Sequence, residues 1–170
     1  MLLWKRIVDF TVIKTLRIAA NARIADLSSR TLTITSAVLV LTKKAHNGMI
    51  MVLSKVNGQT ITLPAATGSG AVYRFVIGLT VTSVGTVIQV ANTTDEFAGI
   101  VYQVDSDTGD ALVAYPAVAA DNFDTITLDG SLTGGLAGDE FEIVDVAAGL
   151  FKLIGHTRGT GTVATPLSAA

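Results

Sequence analysis

The amino-acid sequence predicts an all-β protein, an antiparallel sandwich or small barrel of about nine short strands with an extended N-terminal arm. Short runs rich in Val, Ile, Thr and aromatic residues recur from Thr31 onward, and most are bounded by Gly, Asn, Asp or Pro. No segment between them has the length and pattern of a crossover helix, which disfavours α/β folds. A length of 170 residues suits one domain, so we expect an arm at 1–30 and a β domain at 31–170.

The arm is apolar and basic, and it lacks both glycine and proline. Its periodicity does not decide its form, because strand-like alternation is interrupted and "TLRIAANARIADL" would equally suit a short helix. An ordinary first strand and helix of the domain is an alternative that stays open. The charges at Lys5, Arg6, Asp9, Lys14 and Arg17 break up the apolar run, so we expect neither a signal peptide nor a membrane-spanning helix here.

The nine predicted strands follow in chain order. They cover residues 31–42, 48–55, 59–63, 71–77, 85–91, 98–104, 123–128, 140–146 and 149–156. Between the first two, Asn47 and Gly48 form the strongest short signal for a hairpin turn.

The stretch "GQTITLPAATGSGAVYRFVIG", residues 58–78, predicts two strands joined by a tight connection. Pro64 ends the first strand, Gly68 and Gly70 permit the turn, and Tyr73 and Phe75 share one face because they are two residues apart. "TITLPAATGSGAVYRFVI" (60–77) resembles "TITLDGSLTGGLAGDEFEIV" (125–144). The two segments would be similar hairpins of a loose repeat, or the similarity is a coincidence in a chain rich in Thr, Gly and Ala.

Charge is scarce and unevenly placed. Charged residues make up 15% of the chain, against about 25% in ordinary soluble domains. Residues 1–74 carry ten Lys and Arg with two acids, whereas residues 75–170 carry two basic residues with twelve acids. Such a split indicates a partner of opposite charge, which includes a second copy of the chain. The chain contains no cysteine, so disulfides and cysteine metal sites are excluded.

Catalytic signatures are missing from the sequence. His46 and His156 lie in no metal-binding frame and beside no nucleophile motif. The glycine-rich stretches lack the P-loop lysine and lead into strands, so they predict turns and not phosphate sites. "TTDEF" and "AGDEF" similarly predict turns and not paired catalytic acids. We therefore expect no enzyme, no cofactor and no metal centre.

One acidic loop leaves an alternative open. Asp105, Asp107 and Asp110 in "DSDTGD" would present oxygen ligands of the kind that Ca²⁺ prefers, but the EF-hand pattern fails because no Glu follows at the required distance. An Asx-type turn is the favoured interpretation, with calcium as the alternative.

Nucleic acid and membrane rank below protein as partners. The basic residues of the N-terminal half are spread out, and only Trp4 and Phe10 lie near them for base stacking. The acidic second half would repel phosphate. Basic residues beside Trp and Leu suit a membrane surface, but the rest of the chain offers no membrane-binding feature.

Residues 48–160 resemble a family of small phage virion proteins. In these, a strand ending in T-L-P leads through a Gly/Ala loop to a strand with a central aromatic, as in residues 58–78 here. A late "GD" strand, here Asp139 to Asp145, then precedes a closing strand, here Phe151 to Gly155, where the family usually has Trp instead of Phe. The residues before Thr31 have no counterpart. The resemblance implies a β-rich, commonly trimeric protein that decorates capsids or forms part of a tail fibre.

From this resemblance we expect a non-enzymatic capsid decoration (cement) protein, which assembles in the bacterial host cytoplasm and bridges major capsid subunits as a homotrimer. The acidic half would face outward, and the arm would dock. A tail-fibre or receptor-binding module is the first alternative; a polysaccharide hydrolase or lyase and a cellular β-rich binding domain are others. The docking residues predicted on the arm are Trp4, Lys5, Arg6, Phe10, Lys14 and Arg17.

Overall fold

The structure, a computed structural model, describes residues 30–107 and 109–169. It confirms an all-β fold, with two sheets, neither of which closes into a barrel. In the described part of the chain, no helix is both long and apolar enough to cross a membrane.

Seven strands form the larger sheet, sheet A. In spatial order they are β1 (Thr31–Ile34), β3 (Ile50–Leu53), β5 (Val72–Ile77), β10 (Glu140–Ala147), β11 (Leu150–Gly159), β7 (Glu96–Asp105) and β8 (Leu112–Ala117). Five strands form sheet B, in the order β12 (Leu167–Ser168), β9 (Thr125–Leu128), β6 (Thr86–Gln89), β4 (Thr60–Thr62) and β2 (Val38–Val40). The two helical turns are α1 (Lys43–His46) and a 3₁₀ turn (Ala119–Asp121).

Both sheets are mixed, so the expected antiparallel order is wrong. The first six strands alternate between the sheets, odd-numbered in sheet A and even-numbered in sheet B. Consequently β1, β3 and β5 run parallel, as do β2, β4 and β6. The chain thus makes three successive turns, and each turn contributes one strand to sheet A and one strand to sheet B. Strand alternation specifies which residues face inward but not the direction of the neighbouring strand, which is why the sequence did not reveal this arrangement.

The second half of the chain supplies the antiparallel pairs. A hairpin joins β7 to β8, and a second joins β10 to β11. Strand β10 also pairs antiparallel with β5, whereas β11 pairs parallel with β7 along ten residues. In sheet B, β9 is antiparallel to both β6 and β12.

One hydrophobic core draws side chains from both sheets. Tyr73 and Phe75 are both buried on the inner face of sheet A, which confirms the prediction that they share a face. The rings of Phe97 and Phe151 lie 6.2 Å apart in a tilted arrangement that suits aromatic packing. Ile88 and Ile126 are the fully buried counterparts from sheet B.

The strand positions are largely as predicted, with three differences. The predicted strand 31–42 is divided into β1 and β2, which belong to different sheets. Strand β8 was not predicted. It is an edge strand that contains Pro116 and several exposed side chains, and such a strand is difficult to distinguish from a loop. Strand β12 was missed because it has only two residues.

The hairpin predicted at Asn47 and Gly48 is wrong, since β2 and β3 lie in different sheets. The predicted turn at these two residues is present, and the backbone N–H of Met49 donates to the carbonyl oxygen of His46 across it at 3.1 Å. The turn α1 precedes these residues, capped by Thr42, whose backbone N–H donates to Nδ1 of His46 at 2.9 Å. Asn47 Oδ1 then accepts the backbone N–H of Val72 at 2.9 Å. Local hydrogen bonds therefore direct a crossover between the sheets.

The two similar segments, 60–77 and 125–144, are likewise not hairpins. In each, the T-I-T-L strand lies in sheet B and the following strand lies in sheet A, as β4 to β5 and β9 to β10. The second strands pair with each other, with Phe75 opposite Phe141. The segments therefore share a cross-sheet connection.

Candidate functional site

The docking residues predicted from the sequence all lie outside the described residues. They are Trp4, Lys5, Arg6, Phe10, Lys14 and Arg17. Within the described residues, the candidate surfaces are those of the two sheets.

The loop between β4 and β5 is held by one buried carboxylate, Asp145 of β10. This carboxylate accepts the backbone N–H groups of Thr67, Gly68 and Ser69 at 2.9, 2.6 and 3.1 Å. It also accepts the hydroxyls of Thr67 and Ser69 at 3.1 and 2.6 Å. Asp145 is 3% exposed, so the interaction is shielded from water. The "TGSG" loop is thus a set of donors that surrounds a structural carboxylate.

The hydrogen bonds control the titration of this group. Burial alone would raise the pKa of Asp145, but the bonds from Ser69, Gly68 and Thr67 to the charged form outweigh burial and lower the pKa to about 2. The carboxylate therefore stays charged in its buried position at neutral pH.

Other acids of the C-terminal half have similar structural roles. Asp139, buried at the start of β10, accepts the backbone N–H groups of Gly135 and Leu136 at 2.8 and 3.0 Å, and Arg158 Nε lies 3.4 Å away. Burial raises the pKa of Asp139, although these bonds act in the opposite direction. Asp95 accepts the N–H of Ala66 at 2.8 Å.

Not all of the acidic charge in the C-terminal half is on the surface. Four acids of the C-terminal half are buried, namely Asp95, Asp124, Asp139 and Asp145. Part of the acidic charge of residues 75–170 therefore lies inside the molecule, while the outward orientation of this half on a capsid stays a prediction.

The acidic loop between β7 and β8 contains the predicted Asx turn. The backbone N–H of Asp107 donates to Oδ1 of Asp105 at 3.2 Å. Oδ2 of Asp107 accepts the N–H of Gly161 at 2.7 Å, which ties the hairpin to the segment after β11. Within residues 30–107 and 109–169, no group of three or more His, Cys, Asp or Glu side chains is arranged to hold a metal ion.

The two histidines make different contacts. His46 is the last residue of α1, and its Nδ1 accepts the backbone N–H of Thr42. His156 lies on the outer face of sheet A, where its ring stacks on Tyr102 with centroids 5.9 Å apart and its Nδ1 lies 3.3 Å from Oε1 of Glu140. Neither histidine is therefore placed by a described contact beside a nucleophile.

Charged side chains occupy the outer face of sheet A. Arg74 Nε and Glu142 Oε2 form an ion pair at 2.8 Å across β5 and β10. Glu140, Lys152 and Arg158 are also exposed on this sheet. A cavity of about 300 Å³ opens beside Arg74, Glu140 and Glu142, and we call it the sheet-A groove. It is lined by Ile50, Arg74, Phe75, Val76, Glu140, Phe141, Glu142, Ile154 and His156.

Sheet B differs sharply from sheet A in its charge. None of its five strands contains an ionisable residue. Because Ile61, Ile88 and Ile126 point into the core, their neighbours point outward. The strand register places these neighbours in two rows, Val38–Thr60–Val87–Thr127 and Val40–Thr62–Gln89–Thr125. We call these eight residues the uncharged face.

The uncharged face extends to an apolar edge. Strand β2 lies at the end of sheet B, where Val38 and Val40 are 64% and 61% exposed. Isolated surface valines are common, but two on an edge strand beside an uncharged sheet face form a continuous uncharged surface. The sequence alone did not mark this surface, because the run 125–127 follows Asp124 directly and lies two residues before Asp129.

Comparison of the chain with protein-family models, with curated proteins and with solved structures finds no significant match.

Proposed function

We propose that the chain is a non-enzymatic decoration (cement) protein of a phage capsid. It assembles in the bacterial host cytoplasm, binds the outer surface of the virion capsid as a homotrimer, and stabilises the shell by bridging major capsid subunits. Its two sheets stack as a sandwich, and residues 1–30 act as a docking arm. The proposed function involves no cofactor, metal, nucleic acid or membrane.

The observation that carries this proposal is the uncharged face of sheet B. The centre of a protein interface is depleted in charge, because every buried ion must lose its hydration. Thr60 and Thr127 instead offer hydroxyls that can donate or accept hydrogen bonds with a partner backbone, whereas the hydroxyls of Thr62 and Thr125 already bond Gln89 and Asp124. We therefore assign this face to contact with the capsid shell.

Internal use of the acids is consistent with a structural role. Asp139 and Asp145 bind loop backbone groups and so rigidify the connections between strands. A rigid β domain loses little conformational entropy when it docks, which favours binding at many equivalent positions on a shell.

The substitution Thr127→Glu tests the assignment of the uncharged face. A carboxylate at this position would be buried unpaired against the shell, so the affinity for capsids lacking the protein should fall at least about tenfold. Binding is measured by cosedimentation of purified protein with such capsids.

Two further variants are measured in the same assay. Lys152→Glu places the same charge on the outer face of sheet A and should leave capsid affinity within about twofold of the unmodified chain. Deletion of residues 1–30 tests the arm in the same assay, and undiminished binding would remove the arm from the mechanism. Full binding by Thr127→Glu would refute the assignment of the face.

A tail-fibre module is the second candidate, and the three-turn parallel coil of β1 to β6 favours it, because stacked parallel coils suit elongated assemblies.

Copy number per virion distinguishes the capsid function from the tail-fibre function. A shell protein should be present in on the order of hundreds of copies per virion by quantitative mass spectrometry, because it occupies the equivalent sites of the shell. A handful of copies, with immunogold labelling at the tail, would favour the fibre instead.

A further inference from the structure

Two neighbouring loops at one end of the described domain expose aliphatic side chains. Residues 54–59 join β3 to β4, and residues 78–85 join β5 to β6. The backbone N–H and the hydroxyl of Thr82 both donate to the carbonyl oxygen of Val56, at 2.8 and 3.2 Å, and this fixes one loop against the other. Val56, Leu79 and Val84 are 42%, 47% and 89% exposed. We call these three residues the apolar tip.

Val84 is unfavourable in its own chain for two separate reasons. Its φ of 66° lies in the left-handed region, which costs a β-branched residue about 1–2 kcal/mol. Gly85 follows with a φ of 78°, and such a pair of positive φ angles is where Asn-Gly is strongly preferred. At 89% exposure the isopropyl group also gains almost nothing from burial. Backbone strain and apolar exposure at one residue therefore point to a contact outside the chain.

The sheet-A groove provides a complementary surface. Ile50, Val76 and Ile154 are half-buried aliphatic residues on its outer face, and two of them lie in one row, Ile50–Arg74–Glu142–Ile154. Its volume of about 300 Å³ is roughly ten times that of one water in the liquid, enough for the side chains of an aliphatic loop.

Charge favours the same pairing. Lys55 is the one ionisable residue of the two loops, both of which the structure describes in full. The groove carries Glu140, whose side chain is 60% exposed, and Glu142, whose side chain is 39% exposed. Glu142 is paired with Arg74 and Glu140 lies beside His156, so with a neutral histidine the four groups carry two negative charges and one positive charge. This negative balance matches the single lysine beside the apolar tip.

We propose that the apolar tip of one copy binds in the sheet-A groove of a second copy. Because tip and groove are different surfaces, the contact is head-to-tail, and it can close into a ring such as a trimer. The contact deepens the proposed function, because it specifies how copies of the chain meet. It is tested on purified protein without capsids, so its failure leaves the capsid-binding proposal standing.

The first test measures self-association of the full chain by sedimentation velocity. The unmodified protein should be oligomeric, and Val84→Asp should raise the dissociation constant at least about tenfold, since a carboxylate would replace an aliphatic group in a groove that already carries Glu140 and Glu142. The substitution is at an exposed position and Asp tolerates positive φ, so folding should be preserved. A monomeric unmodified protein, or an unchanged oligomer in Val84→Asp, would overturn the proposal.

The second test uses the head-to-tail geometry. Ile154→Lys should also dissociate the oligomer by blocking the groove, while the lysine head can reach solvent and the fold is kept. When the two variants are mixed, the intact tip of Ile154→Lys can still bind the intact groove of Val84→Asp. Mixing should therefore produce a species of two copies and nothing larger. A mixture that stays monomeric, or that restores the full oligomer, would contradict a head-to-tail contact.

A third variant separates association from stability. Val84→Asn suits the left-handed backbone but removes the aliphatic group, so it should raise the thermal midpoint of the dissociated chain while weakening association. If Val84 has no partner, association will be unchanged, and that result would count against the proposal.

Discussion

Replacing Asp145 with Asn should destabilise the fold by about 3 kcal/mol and lower Tm by about 10 °C. The amide keeps the size of the carboxylate but has one acceptor oxygen in place of two, and its NH₂ group would face the donors of Thr67, Gly68 and Ser69. Buried donors would therefore lose their partner in a position that is 3% exposed. Chemical denaturation at pH 7 measures the change.

The Asp145 carboxylate should also make the stability of the fold depend on pH in the acid range. The pKa of Asp145 is lowered from 3.8 to about 2 in the folded state, so the folded protein binds this proton less readily than the unfolded chain. The resulting stabilisation, about 2.5 kcal/mol, is present above pH 4 and is lost as the pH falls towards 2. In Asp145→Asn this part of the pH dependence should disappear, leaving a flatter stability profile between pH 4 and pH 2.

Asp129→Asn is the matched control. Asp129 also accepts backbone N–H groups, from Ser131 and Thr133 at 2.8 and 3.0 Å, but it is exposed to solvent. Water can replace its lost bonds, so the cost should be about 1 kcal/mol. Equal effects of the two substitutions would show that burial of Asp145 contributes nothing to its role.

The sequence was sufficient to predict the fold class because hydrophobic alternation reports burial directly. In "VYRFVI", Tyr73 and Phe75 are buried as expected and Arg74 between them is exposed, although the half-buried outward positions Val72 and Val76 are also apolar. The edge strand β8 does not show this relation between apolar character and burial. In β8 the outward positions Leu112 and Ala114 are apolar and Pro116 lies within the strand, so neither polarity nor proline content marks it as a strand.

Strand direction and long-range anchors could not be predicted in the same way. Nothing in "TITL" specifies whether its neighbour is parallel, and the same four letters are parallel to β6 in β4 and antiparallel to β6 in β9. Likewise, Asp145 and the loop it binds are 76 to 78 residues apart. The loop was correctly interpreted as a turn, but its N–H donors have no visible acceptor until the fold is known.

The placement of charge unites these features. Several of the acids that anchor loops are buried, the remaining charges on the strands collect on sheet A, and the strands of sheet B carry none. A sum over the sequence could show that charge was scarce, but not that one sheet would carry none of it. The candidate surface for a partner therefore emerged only from strand order and register.

Replacing Gly99 with Ala should destabilise the protein by at least about 3 kcal/mol. Gly99 lies in β7 opposite Leu153 of β11, with a φ of 152°. An added Cβ atom would lie 1.8 Å from the carbonyl oxygen of Leu153, so the two backbones would have to separate. Because β7 and β8 join sheet A only through β11, the clash should loosen both strands together.

Amide hydrogen exchange distinguishes this local effect from a general loss of stability. In Gly99→Ala, the amides of β7 and β8 should exchange faster than those of β3 and β5, which lie on the other side of β10 and β11. Gly70→Ala is the matched control, since Gly70 also has a positive φ of 70° but nothing lies within 4 Å of the added atom. Its cost should be limited to backbone strain, about 1 kcal/mol. A Gly99→Ala protein as stable as Gly70→Ala would mean that β7 and β11 are less closely packed than the parallel ladder requires.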